Sequence, residues 1–312
     1  MSHFTDSIPT QEGDIESFIP TLGKVCKTHY WVYGSLKSGV RPLVALHGGP
    51  GFSHNYLLPL VNLTKLYRIP VILYDQLGIG HSTALPETKG DVEFWTIQLF
   101  IDELVHLLKT LKVEGDFDLF GHSWGGMLAS AFATTQPKGL KKLIICSGIA
   151  NMRDFMEVTR YLKTILPLDV QGAIDKYDSE GFVESSEYKA AADEFYQRFV
   201  CRMNPWPAEL VESFAASERD DTVYTTMFGR NEFTVIGPLK DFNIVDDLHK
   251  VKATTLLTNG EFDEIRDNVM RPFFLHIPRV KWVQFPGCSH VPFLEDPDQY
   301  LDVIGRFLSE GY

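Results

Sequence analysis

The pentapeptide G-H-S-W-G at residues 121–125 constrains the fold of this chain more than any other feature. Apolar residues lead into this G-x-S-x-G motif, and a helix-forming run at residues 127–132 follows it. The motif requires that context, because a serine at the tip of a sharp strand-to-helix turn needs small flanking residues where the two elements approach each other. Ser123 would then stand at the positive end of a helix, where its hydroxyl can attack a carbonyl carbon.

Short continuous apolar runs indicate strands that are buried on both faces of a parallel sheet. Such runs occur at residues 42–46, 70–74, 117–120, 140–146, 253–258 and 280–285. A half-exposed strand is predicted at residues 27–33, and amphipathic helices are predicted at 91–112 and 298–308. The alternation of strands and helices predicts an α/β fold with a mostly parallel, doubly wound open sheet.

This alternation stops in the middle of the chain. Within residues 149–240 the apolar side chains recur at helical spacing, as Phe155, Val158 and Leu162 do. We predict that this segment is a helical cap, and that residues 1–148 and 241–312 together form the core domain. Most aromatic residues of the cap are expected to pack against one another, and a few are expected to line a pocket over Ser123.

A nucleophilic serine needs a base, and the base needs an acid that holds its tautomer. Such groups lie on loops at the carboxyl ends of the strands. The strand at 253–258 is followed by an acidic turn that contains Asp263, and the strand at 280–285 is followed by His290. We therefore predict Ser123, Asp263 and His290 as the catalytic triad, in the chain order that this architecture uses. Activity should rise as His290 loses its proton, near pH 6.5 unless the site shifts that pKa.

The glycine-rich loop H-G-G-P-G at residues 47–51 follows the strand at 42–46. Glycines allow backbone N–H groups to approach a substrate closely. We predict that the N–H groups of Gly49 and Trp124 form an oxyanion hole, and that Gly48 contributes to substrate binding. This chemistry requires no metal and no organic cofactor.

Composition argues against several classes of function. The net charge of -12 opposes binding to nucleic acid or to an anionic membrane, because like charges repel. The 4 cysteines form no C-x-x-C pair, which indicates reduced thiols and no metal site. The polar, acidic start of the chain does not resemble a signal peptide, and no apolar run is long enough to span a membrane. We expect a soluble cytoplasmic protein that acts on a small molecule or a short peptide, and its oligomeric state stays open.

Three motifs together resemble those of the proline iminopeptidase family of α/β-hydrolases. They are H-G-G-P-G at residues 47–51, D-Q-L-G-I-G-H-S at 75–82 and G-H-S-W-G-G at 121–126. The similarity continues through residues 229–233 and 260–264 to 288–290, so that it covers the chain from about residue 28 onward. It implies an α/β-hydrolase fold and an exopeptidase that removes an N-terminal residue, often proline. It also implies that acidic side chains bind the free ammonium group of the substrate, and the matching positions are Glu232 and Glu264.

One position departs from the pattern of that family. The motif around Glu232 usually reads G-P-N-E-F, but Arg230 stands here in the place of the proline. Its guanidinium could pair with Glu232, point to solvent, or receive a carboxylate of a different substrate. Three functions therefore stay open. They are an aminopeptidase or amino-acid amidase, an esterase or lactonase that acts on an apolar small molecule, and a ligand receptor with negligible turnover.

Overall fold

A computed structural model of the chain describes residues 8–180 and 185–310. Its strands are β1 (Gln11–Ile19), β2 (Lys24–Tyr33), β3 (Leu43–Leu46), β4 (Val71–Tyr74), β5 (Phe117–His122), β6 (Leu140–Cys146), β7 (Thr254–Gly260) and β8 (Val280–Phe285). They form one 8-stranded sheet in the order β1-β2-β4-β3-β5-β6-β7-β8. The pairs β1–β2 and β2–β4 are antiparallel, and the other neighbouring strands are parallel. The predicted mostly parallel sheet is confirmed.

Helices cover both faces of this sheet. They are α1 (Leu63–Leu66), α2 (Ile97–Thr110), α3 (Trp124–Thr134), α4 (Met152–Thr164), α5 (Leu168–Glu180), α6 (Ser186–Phe199), α7 (Ala208–Arg219), α8 (Thr222–Met227), α9 (Asp267–His276), α10 (Pro292–Glu295) and α11 (Pro297–Ser309). Short 3-10 helices lie at His54–Asn62, Pro86–Thr88, Pro238–Asp241 and Val245–Lys250. In the described part of the chain, no helix combines the length and the apolar character that a membrane crossing requires.

The core consists of two apolar layers, one on each face of the sheet. Because side chains alternate along a strand, Val44 and Leu46 of β3 join one layer, whereas Leu43 and Ala45 join the other. The first layer packs against α2, α3 and α9, and the second packs against α11. Every residue of β3 is consequently buried, which explains why its sequence is a continuous apolar run.

Strand β1 and the start of helix α2 differ from the sequence-based expectation. Strand β1 was not predicted, because Ile15 is its one fully buried side chain and the strand lies at the edge of the sheet. The helix predicted from residue 91 begins instead at Ile97, where the Thr96 side chain accepts a hydrogen bond from the N–H of Leu99. Phe94 and Trp95 are buried in the preceding turn, so they extended the apolar pattern without being helical.

Between β6 and β7 the described chain contains helices α4 to α8 and no strand of the sheet. The two ends of this segment are joined, since the N–H of Met152 donates to the carbonyl of Phe242 at 2.9 Å and the N–H of Ile244 donates to that of Ala150 at 3.0 Å. The segment therefore leaves the sheet and returns at one place. The division into a core and a cap at residues 148 and 241 stays a prediction, and residues 1–7, 181–184 and 311–312 lie outside the described residues.

Candidate active site

Ser123 occupies a sharp turn between β5 and α3, with φ 55° and ψ -119°. This backbone conformation is unfavourable for a residue with a side chain, so neighbouring contacts must hold it. The N–H of Ser123 donates to the carbonyl of Cys146 at 2.9 Å, and the carbonyl of Ser123 accepts from the N–H of Gly126 at 2.8 Å. Ser123 precedes the first residue of α3, so it lies at the positive end of the helix dipole.

Gly125 allows α3 to approach β3, because a Cβ atom at this position would lie 2.2 Å from the carbonyl oxygen of Leu46. We expect the substitution Gly125→Ala to lower the free energy of unfolding by about 3 kcal/mol, since two backbone segments would have to separate. Gly115→Ala is the matched control, because a Cβ atom there would meet nothing within 4 Å. Urea denaturation measures both variants, and equal transition midpoints would contradict this packing.

The predicted acid and base are in direct contact. The Nδ1 atom of His290 lies 2.8 Å from Oδ1 of Asp263, and its N–H donates because the carboxylate only accepts. The buried Asp263 also accepts from the N–H of Ile265 at 2.7 Å and from the hydroxyl of Ser147 at 2.6 Å. These donors fix the carboxylate and, through it, the orientation of the His290 ring.

A cavity that is partly open to solvent lies over Ser123, and its empty space, with the open mouth included, is about 650 Å³. All predicted site residues except Asp263, which lies behind His290, contribute to its walls: Gly48, Gly49, Ser123, Trp124, Glu232, Glu264 and His290. The segment 149–240 adds further apolar and aromatic walls, among them Phe155, Tyr196, Phe214 and Phe228. The cavity therefore combines a small polar cluster with a largely apolar surface, which is typical of a site for an organic substrate.

Two carboxylates face this cavity. Oε1 of Glu264 lies 3.7 Å from Nε2 of His290, while Oε2 is buried and has no hydrogen-bond partner among the described residues. Glu232 accepts a hydrogen bond from the hydroxyl of Tyr224 at 2.7 Å. Burial raises the pKa of both glutamates, and well above the ordinary value for Glu264. A buried carboxylate oxygen without a donor is unfavourable, so this pair is suited to a cation.

The same carboxylates affect the predicted base. Burial lowers the pKa of His290, but Asp263, Glu264 and Glu232 raise it, with a net result of about 9. The site thus shifts the pKa of His290 upward from the ordinary value near 6.5, and this shift favours the protonated imidazole.

A chain of hydrogen bonds joins the glycine-rich loop to the loop of His290. The hydroxyl of Tyr56 accepts from the N–H of Gly48 at 2.6 Å and lies 2.8 Å from Nδ1 of His122, whose Nε2 lies 2.8 Å from the carbonyl oxygen of His290. Since a carbonyl only accepts, Nε2 of His122 carries the proton and Nδ1 accepts from Tyr56. Burial lowers the pKa of His122 well below its ordinary value, which agrees with a neutral ring.

The motif at residues 75–82 supports the predicted oxyanion hole. The indole N–H of Trp124 donates to the side-chain carbonyl of Gln76 at 2.8 Å, and the amide nitrogen of Gln76 donates to the carbonyl of His47 at 3.1 Å. Gln76 thus connects Trp124 to the loop that contains Gly49. At Gly49, φ is 113° and a Cβ atom would lie 2.5 Å from the backbone nitrogen of Gly51, so this position requires glycine.

Sequence reasoning missed several residues of this network. Gln76 and His122 belong to motifs that pointed to a family, but neither motif specifies what their side chains contact. Ser147, Tyr56 and Tyr224 lie in no motif, and no periodic pattern distinguishes them. Ser147 reaches the site because it follows β6 in the sheet, and Tyr224 reaches it because the segment 149–240 packs over the sheet.

Arg230, the position that departs from the family pattern, is exposed and is not among the residues that line the cavity. Glu232 accepts a hydrogen bond inside the cavity from Tyr224. This arrangement does not support Arg230 as a receptor for a substrate carboxylate beside Ser123.

Comparisons with known proteins identify the fold and the family of this chain. A family model described as the alpha/beta hydrolase fold matches residues 41–297. The proline iminopeptidase of Heyndrickxia coagulans is 36% identical over 271 residues, which are 87% of this chain and 91% of that protein. The crystal structure of VinJ superposes on this chain with a TM-score of 0.92 at 41% sequence identity. The match covers 96% of this chain and 99% of the VinJ chain.

The crystal structure of the proline iminopeptidase of Mycobacterium smegmatis has a TM-score of 0.86 at 38% identity, with 96% of this chain and 97% of that chain covered. In each comparison the similarity extends over most of both chains and is not limited to the serine motif. The protein is therefore a hydrolase that belongs to the proline iminopeptidase family of α/β-hydrolases.

Proposed function

We propose that this protein is a serine aminopeptidase or amino-acid amidase, which cleaves an amide bond next to a free N-terminal amine. One observation carries the proposal: two carboxylates, Glu232 and Glu264, line the same cavity as Ser123 and His290. An ammonium group bound between these carboxylates would compensate the buried charge that the site otherwise holds. It would also select which carbonyl lies over the serine.

In this mechanism Ser123 attacks the carbonyl carbon while Nε2 of His290 takes the hydroxyl proton. Asp263 orients the imidazole and stabilises the imidazolium through the contact at Nδ1. The N–H groups of Gly49 and Trp124 stabilise the negative oxygen of the tetrahedral intermediate. His290 then protonates the leaving amine, and water hydrolyses the acyl-enzyme by the same steps. Ser147 is proposed to hold Asp263 in place, since its hydroxyl donates to that carboxylate at 2.6 Å.

The names of the relatives support a substrate with an N-terminal proline, whose secondary ammonium offers two donors to the carboxylates. The apolar walls suit a proline ring or another small apolar side chain. We propose that the substrate is a short peptide or an amino-acid amide of this kind.

Removing the substrate's charge tests the amine-binding role. We expect acetylation of the amine of alanine para-nitroanilide to lower kcat/KM of the wild type about a hundredfold or more, because each buried carboxylate loses its partner. Glu232→Gln should lower kcat/KM for the free amine strongly and for the acetylated substrate little. Initial rates of the four combinations give the coupling between Glu232 and the amine. Equal losses on both substrates would contradict a contact between them.

A second candidate is an esterase or lactonase, which the apolar residues around Ser123 favour, among them Phe52, Phe155, Phe214 and Phe228. This alternative predicts that acetylation has no effect and that a butyrate ester is the best substrate.

A ligand receptor without turnover is the third candidate. A fluorophosphonate probe separates it from both enzymes, because an inactive serine would not be labelled.

We also propose that the protein acts in the cytoplasm. The four cysteines are buried and free, as expected for a reducing compartment. The net charge of -12 supports a function without nucleic acid or anionic lipid as a partner. The proposed mechanism uses neither a metal nor an organic cofactor, because serine, histidine and backbone donors supply every step.

A further inference from the structure

The nitrogen of His290 that must accept the proton of Ser123 is also the atom that Glu264 approaches. Nδ1 donates to Asp263, so the base has only Nε2 available for Ser123. Oε1 of Glu264 lies 3.7 Å from that Nε2. We propose that Glu264 keeps His290 from acting as a base until the ammonium group of a substrate binds to Glu264. This inference rests on the proposed function, and it adds a role in specificity to a residue assigned there to binding alone.

A proton on His290 is sufficient for this effect, because the imidazolium cannot accept another from Ser123. The carboxyl of Glu264, at 3.7 Å, is too distant to donate a hydrogen bond to Nε2, so it acts through its charge. A carboxylate within about 4–6 Å favours the protonated form of the imidazole.

The surroundings of the pair retain this proton. Asp263 on one side and Glu232 on the other contribute negative charge, and both act to raise the pKa of His290. His122, whose ring centroid lies 4.5 Å from that of His290, is neutral because burial lowers its pKa. The residues of the described chain that line the cavity include no lysine or arginine.

The segment 149–240 also places two tyrosines near this cluster. Burial raises the pKa of Tyr196 and of Tyr224 well above the ordinary value, so both hydroxyls stay neutral. On the opposite side, Glu295 accepts from the N–H and the hydroxyl of Ser289, next to His290, and burial raises its pKa. Apart from the proton of His290, a positive charge beside Glu264 and Glu232 therefore has to come from the substrate.

Binding of an ammonium group should reverse this state. A cation placed against Glu264 and Glu232 cancels the negative charge that holds the proton on His290, and this proton leaves to bulk water. Nε2 of His290 then faces Ser123 with a free lone pair. A substrate without an amine reaches the serine while the base is still blocked. The enzyme therefore distinguishes substrates with a free amine from those without one through kcat, and not only through KM.

A neutral ester separates this effect from amine binding. We expect Glu264→Gln to move the acidic limb of the kcat/KM profile for para-nitrophenyl butyrate to lower pH by about one unit or more, because a carboxylate within about 4–6 Å of the base is lost. Hydrolysis of this ester near pH 7 should increase about tenfold, while the rates of wild type and variant converge at high pH. The same substitution should lower cleavage of alanine para-nitroanilide. Glu212→Gln, on the exposed face of α7, is the control that removes an equal charge elsewhere.

An unchanged acidic limb, or ester rates reduced equally at every pH, would overturn the proposal. If Glu264→Gln does not fold, wild-type calorimetry with prolinol in buffers of different ionisation enthalpy replaces it. Near pH 7 we expect release of about one proton on binding, and binding without proton release contradicts the inference. A failure of the proposed function has a different result. The free and the acetylated anilide would then be cleaved at equal rates, whatever the pH profile of the ester shows.

Discussion

Replacement of Ser123 by alanine is expected to lower kcat about a millionfold for any amide or ester substrate, because no acyl-enzyme can form without the hydroxyl. The backbone of the turn is held by contacts with Cys146 and Gly126, so the variant should keep the fold. Initial rates and labelling with a fluorophosphonate, read by intact-protein mass spectrometry, measure both consequences. The wild type should gain one probe and the variant none.

Ser130→Ala is the matched control for this experiment. Ser130 lies on the same helix, is buried, and donates its hydroxyl to the carbonyl of Met127 at 2.8 Å. Its loss should affect stability by about 1 kcal/mol and leave the rate nearly unchanged. A Ser123→Ala variant that is still labelled, or that loses less than a hundredfold in kcat, would show that another residue is the nucleophile.

The second large effect is expected for Asp263→Asn, which should lower kcat about 10⁴-fold. An asparagine is neutral, so it cannot stabilise the imidazolium that forms on His290 during the reaction. Where it presents its NH₂ group to Nδ1, the ring also carries its proton on Nε2, where Ser123 needs an acceptor. Steady-state kinetics on a para-nitroanilide substrate measure the loss.

Asp267→Asn, four residues farther along the chain, controls for the loss of a carboxylate near the site. Asp267 is exposed and accepts a hydrogen bond from Gln284 at 2.6 Å. An exposed contact of this kind contributes about 0.5 kcal/mol, so its loss should change kcat less than threefold. An equal loss in the two variants would indicate that Asp263 stabilises the loop and does not orient the base.

The features that the sequence predicts well are those with a local signal. The strands β3, β4, β6 and β7 are buried on both faces, so their apolar runs stand out. The serine turn carries its own motif. Asp263 and His290 could be proposed because each follows such a strand, and the structure brings them within 2.8 Å. Strand β1 lacks this signal, since most of its side chains are exposed.

The electrostatics of the site could not be predicted in the same way. The raised pKa of His290 depends on Glu232 and Glu264, which lie 58 and 26 positions before it in the chain. Whether these carboxylates are buried, and whether a tyrosine donates to one of them, follows from how the segment 149–240 packs over the sheet. Likewise, the link from Gly48 through Tyr56 to His122 joins residues up to 74 positions apart.

The most direct test of the proposed function is the ratio of kcat/KM for proline para-nitroanilide to that for its N-acetyl derivative, measured on the wild-type protein. The two substrates share a leaving group and a ring, and they differ mainly in the charge that Glu232 and Glu264 are proposed to bind. We predict a ratio of about a hundred or more, because the acetylated substrate brings no cation to the two carboxylates. A ratio near one would contradict recognition of a free amine and would favour the esterase or lactonase alternative.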